Sequence, residues 1–138
     1  MAAFSLLELI IVMILLGVLA VTVIPRLPRS SDVAARAARD EVLAALRYGQ
    51  QLAMADASRT IKFISSGNSY SLTADDVALL LPEGGGSYPR ALPSEVSISP
   101  VTTLVYDALG ETTATTFTLT AGESWQACVE STGYAHAC

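Results

Sequence analysis

Phe4-Ser-Leu-Leu-Glu-Leu-Ile-Ile-Val-Met-Ile-Leu-Leu-Gly-Val-Leu-Ala-Val-Thr-Val-Ile24 is a run of 21 residues with a single charge, Glu8, and it ends at Pro25. At about 1.5 Å per residue, a helix of that length measures about 31 Å, the thickness of a bilayer's hydrocarbon core. The run therefore reads as a membrane-spanning helix. A cleaved secretory signal is the competing reading. Against it, no basic residue precedes the run, the run is long, and no small-x-small cleavage site follows.

The rest of the composition fits an anchored single domain. The chain has 138 residues, of which 51% are hydrophobic and 15% charged, and its mean hydropathy is +0.47. That is too apolar for an acidic disordered chain and too short for two full cores. Two cysteines supply neither a disulfide-dense miniprotein nor the four ligands of a structural zinc site. Their positions, Cys128 and Cys138, suit a small closed loop in an oxidising compartment. The first basic residues, Arg26 and Arg29, follow the apolar run, which on the positive-inside rule would place the bulk of the chain in the cytoplasm. The cysteines point the other way and are given the greater weight. Met1-Ala2-Ala3 is read as the remnant of a shortened leader that once carried the missing charge.

Glu8 stands out. A carboxylate early in a membrane-spanning helix is costly, and such groups are retained where they find a partner or carry a function. One reading leaves it solvated at the headgroup level; the other supplies a cation from a second chain.

Phe4-Ser-Leu-Leu-Glu8-Leu, the apolar run, Gly17 and Pro25 together resemble the N-terminal segment of type IV pilins and type II secretion pseudopilins. The resemblance covers about 22 residues and implies a prepilin peptidase cut between Ala3 and Phe4 and methylation of the new amine on Phe4. It makes Glu8 the assembly carboxylate, pairing with the Phe4 ammonium of a neighbouring subunit. A buried charge would then be neutralised in one axial register only. The usual basic leader ending in Gly is replaced here by Met1-Ala2-Ala3. Gly17 weakens a helix by roughly 0.5–1 kcal/mol against Ala, and Pro25 removes a backbone donor. The pair implies a continuous or gently kinked helix in the isolated subunit and local melting from about Gly17 to Ile24 in a polymer.

Beyond Pro25-Arg-Leu-Pro28, Ser31 or Asp32 can cap a second helix reaching Ala57. Val42, Leu46, Gly49 and Ala53 recur at helical spacing and form one face of small and aliphatic groups, expected to lie on a sheet. Arg36, Arg39, Asp40, Glu41 and Arg47 read as a solvated surface with both signs interleaved. From residue 58 the period becomes alternating. Thr60–Ser65 and Ser69–Thr73 flank Ser66-Gly67-Asn68 as a hairpin. Further strands are expected at Val96–Ile98, Thr103–Tyr106, Thr115–Leu119 and Gln126–Glu130, with a turn at Asp107–Gly110. Leu81 to Pro93 is expected to be an irregular loop. Its Gly84-Gly85-Gly86 lacks the Lys and Ser/Thr of a phosphate-binding loop.

The predicted fold is thus α+β and pilin-like: a long N-terminal helix, half membrane-spanning and half amphipathic, packed on an antiparallel sheet. Residues 1–3 form the leader remnant, 4–25 the transmembrane and assembly helix, and 26–138 the head outside the cytoplasm, with helix at about 32–57 and sheet at about 60–134. The Ala45–Ala53 helix stretch, the Val105–Glu111 turn and the closing Cys128–Tyr134 hairpin resemble H-type pseudopilins and minor pilins of the mannose-sensitive haemagglutinin pilus.

Charge and chemistry exclude rival functions. From Phe63 onward Arg90 stands alone against Asp75, Asp76, Glu83, Glu95, Asp107, Glu111, Glu123 and Glu130, giving 1 − 8 = −7. Such a surface repels phosphate, so nucleic acid is not an expected partner. One histidine, His136, reads as a solvated tail residue, and no Ser/His/Asp or Cys/His set can be assembled. Asp75-Asp76 reads as a polar turn rather than a calcium site. Trp125 and Tyr134 read as core aromatics. No catalytic residue, metal or cofactor is expected. The resemblance implies a minor pilin of a type IV pilus, held in the bacterial inner membrane with its head in the periplasm before joining the filament. Its expected partners are other pilin subunits, the prepilin peptidase, the inner-membrane assembly platform and membrane lipid. A type II secretion pseudopilin is the alternative, followed by a bitopic membrane protein with a ligand-binding head.

Overall fold

A computed structural model describes residues 5–23 and 30–138. Two helices open the chain, α1 over Leu6–Val23 and α2 over Ser30–Ala55. Nine strands follow: β1 Ile61–Ser65, β2 Ser69–Ala74, β3 Val77–Ala78, β4 Arg90–Ala91, β5 Ser97–Ser99, β6 Thr103–Tyr106, β7 Thr115–Ala121, β8 Glu123–Val129 and β9 Ala135–Ala137. The expected single sheet is in fact two. One has the order β3-β2-β1-β6 with β4 also on β2, and the other runs β5-β7-β8-β9. All pairings are antiparallel.

Helix α2 joins the sheets because one of its faces is small and apolar. Ala35, Ala38, Val42, Leu43, Ala45, Leu46, Gly49 and Ala53 are buried, which includes every residue of the expected face. Gly49 is required there. A Cβ at that position would lie 2.8 Å from Leu72 Cδ2 and 3.2 Å from the Tyr106 ring. The Tyr106 hydroxyl donates to the Leu46 carbonyl at 3.1 Å, so the strand is tied to the helix by the same ring that fills the gap. Phe63 from the first sheet and Phe117 from the second meet edge to face at 5.3 Å, the preferred geometry of two ring quadrupoles, and close the core between the layers.

The hairpin β1–β2 holds its expected place, with Ile61 opposite Ala74 and Ser65 opposite Tyr70. The β2–β3 turn is built by Asp75 and Asp76, both in the left-handed region at φ 52° and 64°. Two positive φ values are what a two-residue type I′ hairpin demands, and short Asp side chains tolerate them better than most. The polar-turn reading of this pair is thus correct, with Asp75 Oδ1 accepting from the Thr60 amide at 2.9 Å and Lys62 Nζ pairing with Asp76 at 2.6 Å.

Several expectations need correction. Ser31 and Asp32, the two expected caps, lie within α2, and Asp32 Oδ1 instead accepts from the Glu123 amide at 3.4 Å, pinning the helix to the β7–β8 turn. The Leu81–Pro93 loop contains β4 as well as Ser87, which forms an isolated bridge to Leu80 just before the loop. The second sheet extends past residue 134, through β9. Tyr134 is not a core residue. It is 57% exposed and stacks on His136 at 5.4 Å.

Candidate assembly site

Helix α1 begins after Ser5, whose carbonyl accepts from the amides of Glu8 at 3.0 Å and Leu9 at 3.3 Å while its hydroxyl accepts from Glu8 N at 3.3 Å. A Ser in that position satisfies amides that a helix start leaves without partners. Glu8 falls in the first turn, where the helix dipole favours a carboxylate. The helix runs without interruption through Gly17, and a Cβ there would meet nothing within 4 Å. Packing within one chain therefore gives no reason for a glycine at that position. Ala3, Phe4 and Pro25 lie outside the described residues, so the processing site and the Pro25 end of the helix are proposals here.

The rest of α1 is apolar all round. Its large side chains from Leu6 to Leu19 are 45–77% exposed. A helix hydrophobic on every face is stable only when something covers it. At 18 residues the helix is about 27 Å long, short of the roughly 30 Å of hydrocarbon. Among the described residues no helix is long and apolar enough to cross a membrane. The run read as a span continues at both ends into residues outside the description.

The far end of α2 is a junction of turns. Gln50 Nε2 donates to the Thr132 carbonyl at 2.8 Å and the Gly110 carbonyl at 3.4 Å, and Thr112 N donates to Ser131 O at 3.0 Å. Gly110 and Gly133 both take positive φ here, 77° and 78°. Arg47 Nε reaches the Ala135 carbonyl at 2.9 Å and ties the same helix to β9. Cys128 and Cys138 are disulfide-bonded across a separation of 10, with Cα atoms 5.9 Å apart, so the terminal strand is fixed covalently. Arg47 is thus no bystander, and neither are two others read as a solvated face. The Arg36 and Arg39 guanidinium groups lie 5.6 Å and 5.4 Å from the Trp125 ring centre, within cation–π range. Sequence spacing could not pair them, because Trp125 arrives from strand β8.

His136 is placed on β9 rather than in a free tail. Its Nε2 sits 3.1 Å from Glu130 Oε1 and its Nδ1 3.1 Å from the Ala137 carbonyl. The Glu130 hydrogen bond, then the carbonyl, hold its pKa above the usual 6.5. Raising the folded-state value means that the protonated form stabilises the fold. That contribution is complete below about pH 6.5 and is lost as pH rises through the folded-state value. An NMR titration of His136 should show a midpoint above 6.5, and Glu130→Gln should lower it. An unchanged midpoint would show that Glu130 has no part in it.

Among the described residues, no group of three or more His, Cys, Asp or Glu side chains is arranged to hold a metal ion.

No protein-family model matches the chain, and no curated protein matches it in sequence. Two crystal forms of the type IV minor pilin FimU from Pseudomonas aeruginosa are similar in structure. One aligns with a TM-score of 0.58 at 18% identity over 80% of this chain and 92% of FimU. The other aligns at 0.55 and 19% over 75% and 91%. The long helix laid across antiparallel strands is therefore an α+β fold shared with FimU.

Proposed function

We propose that this chain is a structural subunit of a type IV pilus, a minor pilin that works by assembly rather than catalysis. The carrying observation is α1, a helix apolar on all faces with its large side chains exposed, attached to a head with the fold of FimU. Before assembly, lipid covers that helix; in the filament, the helices of other pilin subunits do. Residues 4–25 serve as the anchor and assembly segment and residues 26–138 as the head, held at the inner membrane on the periplasmic side. Phe4 is the processed and methylated residue, Glu8 the assembly carboxylate, and Gly17 with Pro25 the weak stretch of the helix. A prepilin peptidase and the inner-membrane assembly platform complete its partners.

The test is mass spectrometry of the chain, expressed behind a basic leader ending in Gly, with and without an active prepilin peptidase. The expected product starts at Phe4, carries one added methyl group on its amine, and is lighter by two hydrogens for the Cys128–Cys138 bond. An uncut chain in the presence of the active peptidase would overturn the reading.

A further inference from the structure

A cavity of about 170 Å³ opens between α2 and the Leu81–Arg90 segment, and none of its lining residues belongs to α1. Its lining is apolar at Ala44, Ala45, Leu81 and Pro82 and aromatic at Tyr70 and Tyr88. These two rings lie 6.1 Å apart with their planes tilted by 58°. Tyr70 is 2% exposed and Tyr88 4%. Neither hydroxyl has a hydrogen-bond partner among the described residues, and neither is sealed from solvent, so both are open to water or to a ligand in the cavity. Burial pushes both pKa values up, so the two groups stay neutral and can accept as well as donate.

The rim is charged and unbalanced. Arg90 Nε and Nη2 bond Glu41 at 3.0 Å and 3.3 Å, and Nη1 bonds Glu83. Two carboxylates share one guanidinium, which leaves one negative charge over. An anion is repelled from such a site, and an apolar molecule would leave both phenols unpaired. A cation with a short aliphatic stem meets every demand. Its N–H groups donate to the phenol oxygens and a rim carboxylate, the aromatic faces attract its charge, and its stem covers the alanine and proline lining. The size is right as well, since a cavity of about 150 Å³ holds a six-carbon ring.

We propose that this cavity is a binding site for an alkylammonium group, supplied either by a free small amine or by a lysine side chain of another polypeptide.

The probe is n-butylammonium chloride, titrated into the isotope-labelled full chain in detergent and followed by NMR, with n-butanol as the uncharged control. N-acetyl-lysine methylamide represents the polypeptide source. For a ligand of five heavy atoms the expected dissociation constant is about 1–10 mM. Saturating shifts are expected at Ala44, Ala45, Tyr70 and Tyr88 with the amine, and none that saturate with the alcohol. Tighter binding of the lysine derivative assigns the source to a polypeptide; tighter binding of n-butylammonium assigns it to a free amine. Tyr70→Phe should weaken binding about fivefold by removing one acceptor. Tyr88→Phe tests the same point from the less buried ring should Tyr70→Phe disturb the fold. Equal shifts from n-butanol, or no saturation at these residues, would overturn the proposal.

Discussion

Glu8→Gln is expected to cut incorporation of this subunit into filaments by at least about a hundredfold while leaving its level in the membrane unchanged. In the proposed filament Glu8 pairs with the Phe4 ammonium of a neighbour. Removing one partner of a buried ion pair strands the other charge and costs about 3–5 kcal/mol, and each 1.4 kcal/mol is a factor of ten. Glutamine keeps the shape and the hydrogen-bonding oxygen, so the loss isolates the charge. Within a single chain the same change is mild. Glu8 is exposed in the first turn of α1, where it contributes only the dipole interaction, about 0.3–1 kcal/mol. Quantifying the subunit in sheared filaments against the membrane fraction separates the two roles. Equal losses in both fractions would mean that Glu8 supports the folded or inserted chain. Normal incorporation would mean that no cation meets it in the filament.

The proposed function depends on a part of the chain whose pattern is local in sequence, and of that part Leu6–Val23 is helical as expected. The Phe4–Ile24 run, its one charge and its Pro25 stop are local patterns, and so are the buried α2 positions at Val42, Leu46, Gly49 and Ala53. Strand β6 was legible to the residue, since Thr103–Tyr106 alternates and ends at an Asp–Gly turn. Strands β3 and β4 were not, because two residues carry no alternation to detect. Nor was the division into two sheets. Which strand lies beside which is decided by tertiary packing, here by α2 packing on β1 of one sheet and on β7 and β8 of the other. The Arg36–Arg39–Trp125 stack and the Tyr70–Tyr88 cavity were hidden for the same reason. Their members come from elements far apart in the chain, and each residue alone has a bland explanation. Even the Asp75–Asp76 turn was legible only as polar, because the strong sequence signal for its geometry is Asn-Gly or Asp-Gly.

Gly133 shows how much a tertiary contact can demand of one residue, and Gly133→Ala is expected to lower stability by about 3–5 kcal/mol. Two costs combine. The first is conformational: at φ 78° an L side chain crowds its own backbone, worth about 1–2 kcal/mol. The second is steric. An added Cβ would lie 1.8 Å from the Gly110 carbonyl oxygen and 2.7 Å from Gln50 Nε2. A backbone oxygen cannot swing aside like the end of a side chain, so the 107–110 turn or the 130–133 turn must move. Moving either lengthens the bonds by which Gln50 holds both turns to α2. Gly84→Ala provides the control, since Gly84 has φ 80° and nothing within 4 Å of a Cβ. It should therefore incur the conformational cost alone. Thermal unfolding of the full chain in detergent should place the Gly133 variant roughly 10–20 °C below the parent and the Gly84 variant within about 8 °C of it. Equal shifts in the two variants would show that the turns yield to the added methyl group, and that the junction does not depend on close approach of Gly110 and Gly133.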